Sequence, residues 1–255
     1  TSSITGYLLL KAGIDPTIII GGEVSAWSGN AYVGKSDYVV AEADESDGSL
    51  VKLSSHIGVI TNIELDHPDH YSSLDQIVEI FDRFVEQSDI VIGSIDCPTV
   101  RDCIKPAISY SLDPASGADY IATNVNEEAE GTTADILEKG ELLGRLTVPL
   151  LGLHNLSNAL ASIAVARRLG VSFESLATHM PNFQGARRRF EHRGFYNEIL
   201  FIDDYAHHPS EIKATMAAAQ VQRGGALPSG RKRRVVAVFQ PHRYSRASTL
   251  LDEFA

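Results

Sequence analysis

The chain has 255 residues, enough for one large domain or for two ordinary domains that each bury a hydrophobic core. Its composition is 44% hydrophobic and 22% charged, as in ordinary globular proteins, and no apolar run approaches the roughly 20 residues that span a bilayer. The net charge of −11 argues against nucleic-acid binding, and the two cysteines match neither a zinc pair nor a disulfide framework, as is usual in a reducing cytoplasm.

Short apolar runs alternate with helical patterns over the first 180 residues, which predicts βαβ units and a mostly parallel sheet. A helix is predicted over 1–13, and an amphipathic helix is predicted over 74–87. Segment 107–149 predicts short antiparallel strands inserted after the parallel ones. Helices are then predicted over 154–169 and up to about residue 180. The predicted parallel strands are 17–20, 37–42, 56–61 and 89–93.

The pattern restarts after Pro181. Segments 198–203 and 234–239 predict further parallel strands, and 209–222 predicts a helix whose first turn contains a proline. Segment 223–234 is rich in Gly, Pro and basic residues, which predicts a surface loop. The charge changes at the same place, because the chain up to Pro181 has 10 Lys and Arg against 26 Asp and Glu, whereas the remainder has 12 against 7. We therefore predict two domains, with bounds 1–181 and 182–255.

Polar residues cluster directly after two of the predicted strands, at the strand ends where α/β sheets bind ligands. The first cluster, EADESDGS, contains Glu42 and Asp44, and the second, TNIELDHPDHY, contains His67 and Asp69. Carboxylate oxygens are suitable ligands for Mg²⁺. A solvated acidic loop and a surface histidine are the simpler explanations of each cluster taken singly. Taken together, the two clusters predict a divalent cation held between strand ends.

Four further motifs carry groups that can bind anions or amino acids. The helix GLHNLSNALA begins with polar residues that cap a helix or bind a base or phosphate. The segment FQGARRRF contains three arginines, whose forked donors match phosphate and carboxylate oxygens. Two more strand ends are followed by polar clusters, IDDYAHHPSEI and FQPHRYSR. Their distribution over two predicted domains of opposite charge predicts one cleft between the domains.

In this order, the six motifs resemble those of the Mur ligases over nearly the whole chain. The resemblance implies an α/β fold, with a mostly parallel central ATPase domain that has a small antiparallel insertion, followed by part of a Rossmann-like C-terminal domain. DDYAHHP and FQPHRYSR are most similar to the branch that joins L-alanine to UDP-N-acetylmuramate. The absence of lysine between Lys52 and Lys105 fits that branch, because the later ligases carry a carbamylated lysine in this region. The alternatives are the branch that joins a preformed tripeptide to UDP-N-acetylmuramate and, in another class, a metal-dependent phosphohydrolase.

The resemblance also implies a reaction, which is ATP-dependent amide formation in peptidoglycan precursor synthesis. The substrate carboxylate attacks the γ-phosphate of ATP, and the amine of alanine then displaces phosphate from the acyl phosphate. Catalytic roles are implied for His67, Arg188, His208 and Arg243. The family motifs also imply binding residues: Glu42 and His67 for Mg²⁺; His154, Asn155, Asn158, Arg188, Arg189, Asp203 and Asp204 for the nucleotide; and Tyr205, His207, His242 and Arg243 for the amino acid.

Two parts of the family are missing from this sequence according to the same resemblance. One is an N-terminal UDP-binding domain, and the other is a phosphate-binding loop of GTHGKT type directly ahead of the first helix. We therefore expect these 255 residues alone to be inactive, and we expect the full-length ligase to be a cytoplasmic enzyme.

Overall fold

A six-stranded sheet with helices on both faces carries most of the hydrophobic core. The structure is a computed structural model, and it describes residues 1–223 and 233–254. In spatial order the strands are β4 (Ser55–Ile60), β5 (Ser88–Ser94), β6 (Ile108–Ser111), β7 (Tyr120–Glu128), β8 (Gly131–Glu138) and β9 (Glu141–Val148). Neighbouring strands are parallel from β4 to β7 and antiparallel from β7 to β9. The predicted antiparallel segment therefore continues the main sheet.

Two cores cover the two faces of this sheet. Adjacent residues of β5 belong to different cores, Val91 to the smaller and Ile92 to the larger, as the alternation of side chains in a strand requires. The smaller core contains α2 (Leu74–Glu86), whose apolar stripe is buried as its periodicity predicts. The larger core contains α1 (Ser2–Lys11), α3 (Leu153–Arg168) and α4 (Phe173–His179). The mostly parallel α/β fold is confirmed.

A second sheet has the order β2–β1–β3, with β1 (Thr17–Val24), β2 (Gly29–Tyr32) and β3 (Val39–Ala41). Strand β3 is parallel to β1, and β2 is antiparallel to it. Within the described part of the chain, β3 pairs only with β1 and β4 pairs only with β5. The apolar side chains of Val39, Val40, Ile57 and Val59 line the same cleft from these two strands. The two sheets thus face each other with a strand edge on either side.

The C-terminal segment, residues 188–254, corrects one predicted strand. Strand β11 (Ile199–Asp203) forms an antiparallel hairpin with β10 (Glu191–Tyr196), and it is not the parallel strand predicted over 198–203. The turn residues Asn197 and Glu198 both have positive φ, of 49° and 64°, which is the backbone of the favoured two-residue hairpin turn. Local turn geometry therefore sets the strand direction.

A second predicted strand, 234–239, is absent. The chain has no regular structure between residues 233 and 243, and Val236 and Val238 are exposed. An apolar run forms a strand only where a neighbouring strand accepts its hydrogen bonds, and the described residues offer none here. Helix α5 (Pro209–Gln222) matches its prediction, and α6 (Tyr244–Thr249) follows. Most of the predicted loop 223–234 lies outside the described residues.

The C-terminal segment is joined to the sheet domain next to β1. Val24 forms an isolated antiparallel bridge with Ala186, and the backbone N–H of Arg187 donates to the Glu23 carbonyl at 2.9 Å. The side chains of Arg187 and Glu23 also pair at 2.7 Å. This junction places the start of the C-terminal segment beside the carboxyl end of β1. Among the described helices, none has the length and apolar character that crossing a membrane requires.

Candidate active site

The predicted site residues lie around one large cleft between the carboxyl ends of β1 and β3 and the C-terminal segment. The cleft has a volume of about 2060 Å³, larger than the roughly 300–1,000 Å³ of a single small-molecule site. Residues from both ends of the chain face this space, which includes the gap between β3 and β4. Nine of the fourteen predicted residues line it: Glu42, His154, Asn155, Asn158, Arg188, Arg189, Asp203, Asp204 and Tyr205.

The other five predicted residues lie beside the cleft, where the C-terminal segment meets the loop between β4 and α2 (61–73, the β4–α2 loop). The ring of Tyr205 links the two groups, since it lies 5.2 Å from the ring of His207. The His207 ring in turn lies 6.2 Å from that of His242. Arg243 donates a hydrogen bond to Asp69 of the β4–α2 loop at 3.0 Å. The five are His67, His207, His208, His242 and Arg243.

Glu42 follows directly on β3, and its position is fixed by β1. Its backbone N–H donates to the Ile19 carbonyl at 2.9 Å, and its carboxylate accepts from the N–H of Gly21 at 3.3 Å. The strand pairing thus places this carboxylate on the cleft wall, where Asp44 also lies. Both residues offer the oxygen ligands that Mg²⁺ prefers.

His67 has an unusual backbone conformation and a crowded acidic environment. Its φ is +53°, and its N–H donates to the Asp66 carboxylate at 2.6 Å. Its Nε2 lies 3.5 Å from Glu45 Oε1, and its side chain is 14% exposed. Its Nδ1 is buried without a hydrogen-bond partner among the described residues. Burial raises the pKa of the Glu45 carboxyl, and the attraction of His67 opposes that shift.

The predicted magnesium ligands are therefore differently placed. Glu42 lies on the cleft wall, whereas His67 is directed toward Glu45 and Asp66 and lies outside the cleft lining. In residues 1–223 and 233–254, no three His, Cys, Asp or Glu side chains converge as a metal site. The Mg²⁺ site shared by Glu42 and His67 stays a prediction.

The first two turns of α3 present His154, Asn155 and Asn158 to the cleft. Gly152, with φ of +89°, precedes the helix, and a Cβ atom there would lie 2.7 Å from the His154 ring. Only glycine both adopts this conformation and leaves room for the imidazole. Asn155 donates to the Leu151 carbonyl at 2.8 Å. The neighbouring residues partly desolvate His154 and lower its pKa, although its side chain is exposed to the cleft; Asp204 opposes this shift and Arg189 reinforces it.

Arg188 and Arg189 both stack on Tyr205. Their guanidinium carbons lie 4.9 and 5.6 Å from the centroid of its ring, within the range of cation–π attraction. The N–H of Tyr205 donates to the Arg188 carbonyl at 2.8 Å, and Arg188 Nε lies 3.6 Å from Asp203. Both arginine side chains remain more than half exposed. Two forked cations are thus held at the cleft wall with donors available to an anion.

Asp204 and His208 have structural partners that the sequence did not predict. Asp204 accepts from the N–H groups of Phe190 and Ala206 at 2.7 and 2.8 Å, and so fixes the turn after β11. His208 is buried and caps α5, with its Nδ1 accepting from the N–H of Ser210 at 3.3 Å. Their roles in nucleotide binding and catalysis remain predictions.

Three of the four residues with a predicted catalytic role have positive φ angles. The values are 53° for His67, 58° for Arg188 and 67° for Arg243. Such a conformation costs a non-glycine residue on the order of 1–3 kcal/mol, and it persists where surrounding contacts hold it. Strained residues of this kind cluster at functional sites. The positive φ angles therefore indicate the same functional region as the sequence motifs do.

Comparison with known protein families identifies the fold of this site. The family model described as Mur ligase middle domain matches residues 24–166, more than half of the chain. The chain belongs to the Mur ligase family. A second model, described as Mur ligase, glutamate ligase domain, matches residues 188–255. The two Mur ligase matches leave residues 167–187 between them, so the boundary at 181/182 stays a prediction.

Individual relatives support the same assignment. The Mur ligase chain is 59% identical, over all its 255 residues, to a UDP-N-acetylmuramate–L-alanine ligase of Nostoc punctiforme, and covers 52% of that protein. The chain thus spans about half the length of the curated relatives it matches. The crystal structure of the UDP-N-acetylmuramate-alanine ligase of Thermotoga maritima matches with a TM-score of 0.81 and 26% identity, over 98% of this chain and 56% of that one. A murein peptide ligase of Psychrobacter arcticus matches with a TM-score of 0.67 and 25% identity, over 88% and 53%.

Three residues that organise the site of this Mur ligase chain have no role predicted from the sequence. Glu211 accepts from the N–H of His207 at 3.0 Å and lies 3.7 Å from Arg189. Asp66 and Arg246 form a buried pair. Glu211 was detectable as the third helical residue of a capping box, although a histidine at the cap position disguises that motif. Asp66 and Arg246 are 180 residues apart in the sequence, so no local sequence pattern predicts that they pair.

Proposed function

We propose that the chain is part of an ATP-dependent ligase that joins L-alanine to the carboxylate of UDP-N-acetylmuramate. The observation that carries the proposal is the cleft itself, which brings Arg188 and Arg189 of the C-terminal segment into one space with Glu42 and the first turn of α3. A reaction between a carboxylate and a phosphate requires positive charge beside both anions. The 59% identity to a relative of that name supports the choice of substrates.

The cleft residues fit ATP. Arg188 and Arg189 would neutralise phosphate oxygens, since their forked donors suit them, and Asn155 and Asn158 offer amide groups at a helix N-terminus. Asp203 offers a carboxylate to a ribose hydroxyl. Arg188 and Arg189 would lower the repulsion between the substrate carboxylate and the phosphate under attack. When the acyl phosphate meets alanine, the same donors would stabilise the departing phosphate.

The donor chemistry of the cleft wall also fits Mg²⁺. Glu42 and Asp44 provide oxygen atoms on the cleft wall, and His67, outside the cleft lining, has a buried Nδ1 without a protein partner among the described residues. We propose Glu42 and His67 as the ligands. A bound Mg²⁺ would offset the negative charge of the phosphate oxygens.

The gap between β3 and β4 fits an additional parallel strand. Both strand edges face it with apolar side chains, among them Val40 and Val59. The family resemblance places a strand and a phosphate-binding loop ahead of α1, whose first turn lines the same cleft. We propose that this strand occupies the gap in the full-length ligase, so that the phosphate-binding loop enters the cleft beside Glu42.

The test is ADP formation by a full-length ligase that carries these residues, with UDP-N-acetylmuramate, ATP, Mg²⁺ and L-alanine. We expect Glu42→Ala and His67→Ala each to lower the rate at limiting Mg²⁺ at least 10-fold. His70→Ala is the matched control, because His70 is an exposed histidine of the same loop. Wild-type rates for Glu42→Ala and His67→Ala would contradict the assignment.

The acceptor is tested separately. L-alanine is expected to support ADP formation, and a preformed tripeptide is not. The reverse result would assign the chain to the recycling branch, and phosphate release without any amine would favour a phosphohydrolase.

Because the substrates are ATP and a UDP-sugar, we propose a cytoplasmic location.

A further inference from the structure

The Asp66 carboxylate contacts both the backbone of His67 and the C-terminal segment. Its Oδ1 accepts from the His67 N–H at 2.6 Å and from Arg246 Nε at 2.7 Å, and its Oδ2 accepts from Arg246 Nη2 at 3.0 Å. The Arg246 side chain is 2% exposed and that of Asp66 is 17% exposed. A forked, charge-assisted pair at this depth fixes both partners in one geometry.

The same carboxylate holds His67 in its strained conformation. A positive φ is unfavourable for histidine, and the hydrogen bond from the His67 N–H to the preceding Asp66 side chain offsets that cost. The Oδ2 atom of Asp66 also lies 3.7 Å from His67 Nε2. The orientation of the imidazole therefore depends on where Asp66 is held.

Arg246 holds Asp66 from the other end of the chain. It belongs to α6, and its Nη1 also donates to the His242 carbonyl at 3.3 Å. A neighbouring pair, Arg243 with Asp69, joins the same two segments at 3.0 Å, but its side chains are 38% and 45% exposed. The buried pair is thus the stronger of the two constraints, since exposed pairs contribute little.

We propose that Asp66 is a positioning residue, which couples docking of the C-terminal segment, through Arg246, to the orientation of His67. Loss of the Arg246 contact frees the Asp66 carboxylate to rotate, and His67 then loses its fixed direction. Partners that orient a metal-binding histidine typically change metal affinity 10–100-fold when they are removed. The functional part of this inference rests on the proposed role of His67.

The first test uses hydrogen exchange of the full-length ligase and needs no activity. We expect Arg246→Lys, which keeps the charge and loses the fork, to raise amide exchange at least 10-fold in residues 62–71. Asp66→Asn is expected to raise it in residues 242–249, and the double variant is expected to add nothing beyond either single change. Asp102→Asn is the matched control, because Asp102 forms a forked pair with Arg101 that is exposed. Unchanged exchange in 62–71 for Arg246→Lys would overturn the proposal.

The second test uses the full-length ligase and separates positioning from substrate binding. For Arg246→Lys we expect the Mg²⁺ concentration for half-maximal rate to rise about 10-fold or more, together with a lower kcat. A change confined to the KM for L-alanine would overturn the proposal. An inactive wild-type ligase would instead contradict the proposed function, and the exchange measurement would still decide whether Asp66 couples the two segments.

Discussion

Arg243 donates a hydrogen bond to Asp69 at 3.0 Å, although 174 residues separate them in the sequence. The resemblance implies that Arg243 binds the carboxylate of the amino acid. The Asp69 carboxylate therefore occupies a donor group that the amino acid is proposed to use. Hydrogen bonds from Ser245 and Arg243 hold the pKa of Asp69 below its ordinary value. Asp69 is therefore ionised at neutral pH, and we expect it to compete with the amino acid for Arg243.

The first prediction follows from this competition. Asp69→Asn is expected to lower the KM for L-alanine by up to about fivefold, the range for exposed ion pairs, while Arg243→Ala raises it at least 10-fold. Steady-state kinetics of the full-length ligase, with L-alanine varied at saturating ATP, measure both values. Asp135→Asn is the control, since Asp135 forms an ion pair with Arg145 in the antiparallel strands. A higher KM for Asp69→Asn would show that Asp69 helps to bind the substrate.

The second prediction concerns the stacked arginines. Tyr205→Phe keeps an aromatic face for Arg188 and Arg189 and is expected to retain the KM for ATP within twofold. Tyr205→Leu removes the cation–π attraction, worth about 0.5–1 kcal/mol at an exposed site, and is expected to raise that KM two- to fivefold. Kinetics with ATP as the varied substrate distinguish the two. An equal rise in the KM for ATP for both substitutions would show that ATP binding depends on the hydroxyl group of Tyr205 and not on its ring.

The third prediction concerns Gly152. Gly152→Ala forces a positive φ on alanine and places its Cβ 2.7 Å from the His154 ring. We expect a loss of about 2–4 kcal/mol in the free energy of unfolding, from backbone strain and the clash together. Gly170→Ala is the matched control, because Gly170 also has a positive φ, of 83°, but its Cβ would meet no atom within 4 Å. Urea unfolding of the chain should show the smaller loss, about 1 kcal/mol, for Gly170→Ala.

The fourth prediction is a pH dependence that arises from His154. Because partial desolvation by neighbouring residues lowers its pKa in the folded state, although the side chain is exposed to the cleft, the unfolded chain binds the proton more readily. The stabilising contribution is complete above the ordinary pKa of 6.5 and is lost as the pH falls through the lower folded-state value. Wild-type protein is therefore expected to lose more stability than His154→Gln between pH 7 and pH 5. Parallel pH dependence in the two proteins, measured by urea unfolding, would contradict this.

The sequence by itself determined the elements whose signals are local. The amphipathic period of α2 and the proline at the start of α5 located both helices closely, and the strand ends carrying Glu42 and His67 were recognisable from apolar runs followed by polar clusters. Local turn geometry was also present in the sequence, at Asn197 and Glu198, but the strand pattern alone did not reveal that β11 pairs back on β10. Family motifs then indicated which polar clusters belong to one site.

Only the tertiary structure decided which of these groups meet. It directed Glu42 into the cleft and His67 toward Glu45, and it paired Asp66 with Arg246 and Asp69 with Arg243. It also left segment 234–239 without strand partners among the described residues. The physical reason is that contacts between residues far apart in sequence depend on how whole elements pack, and hydrogen bonds form only where packing supplies a partner. The residue type determines which ligands a side chain can bind, and tertiary packing determines which partner it contacts in the folded protein.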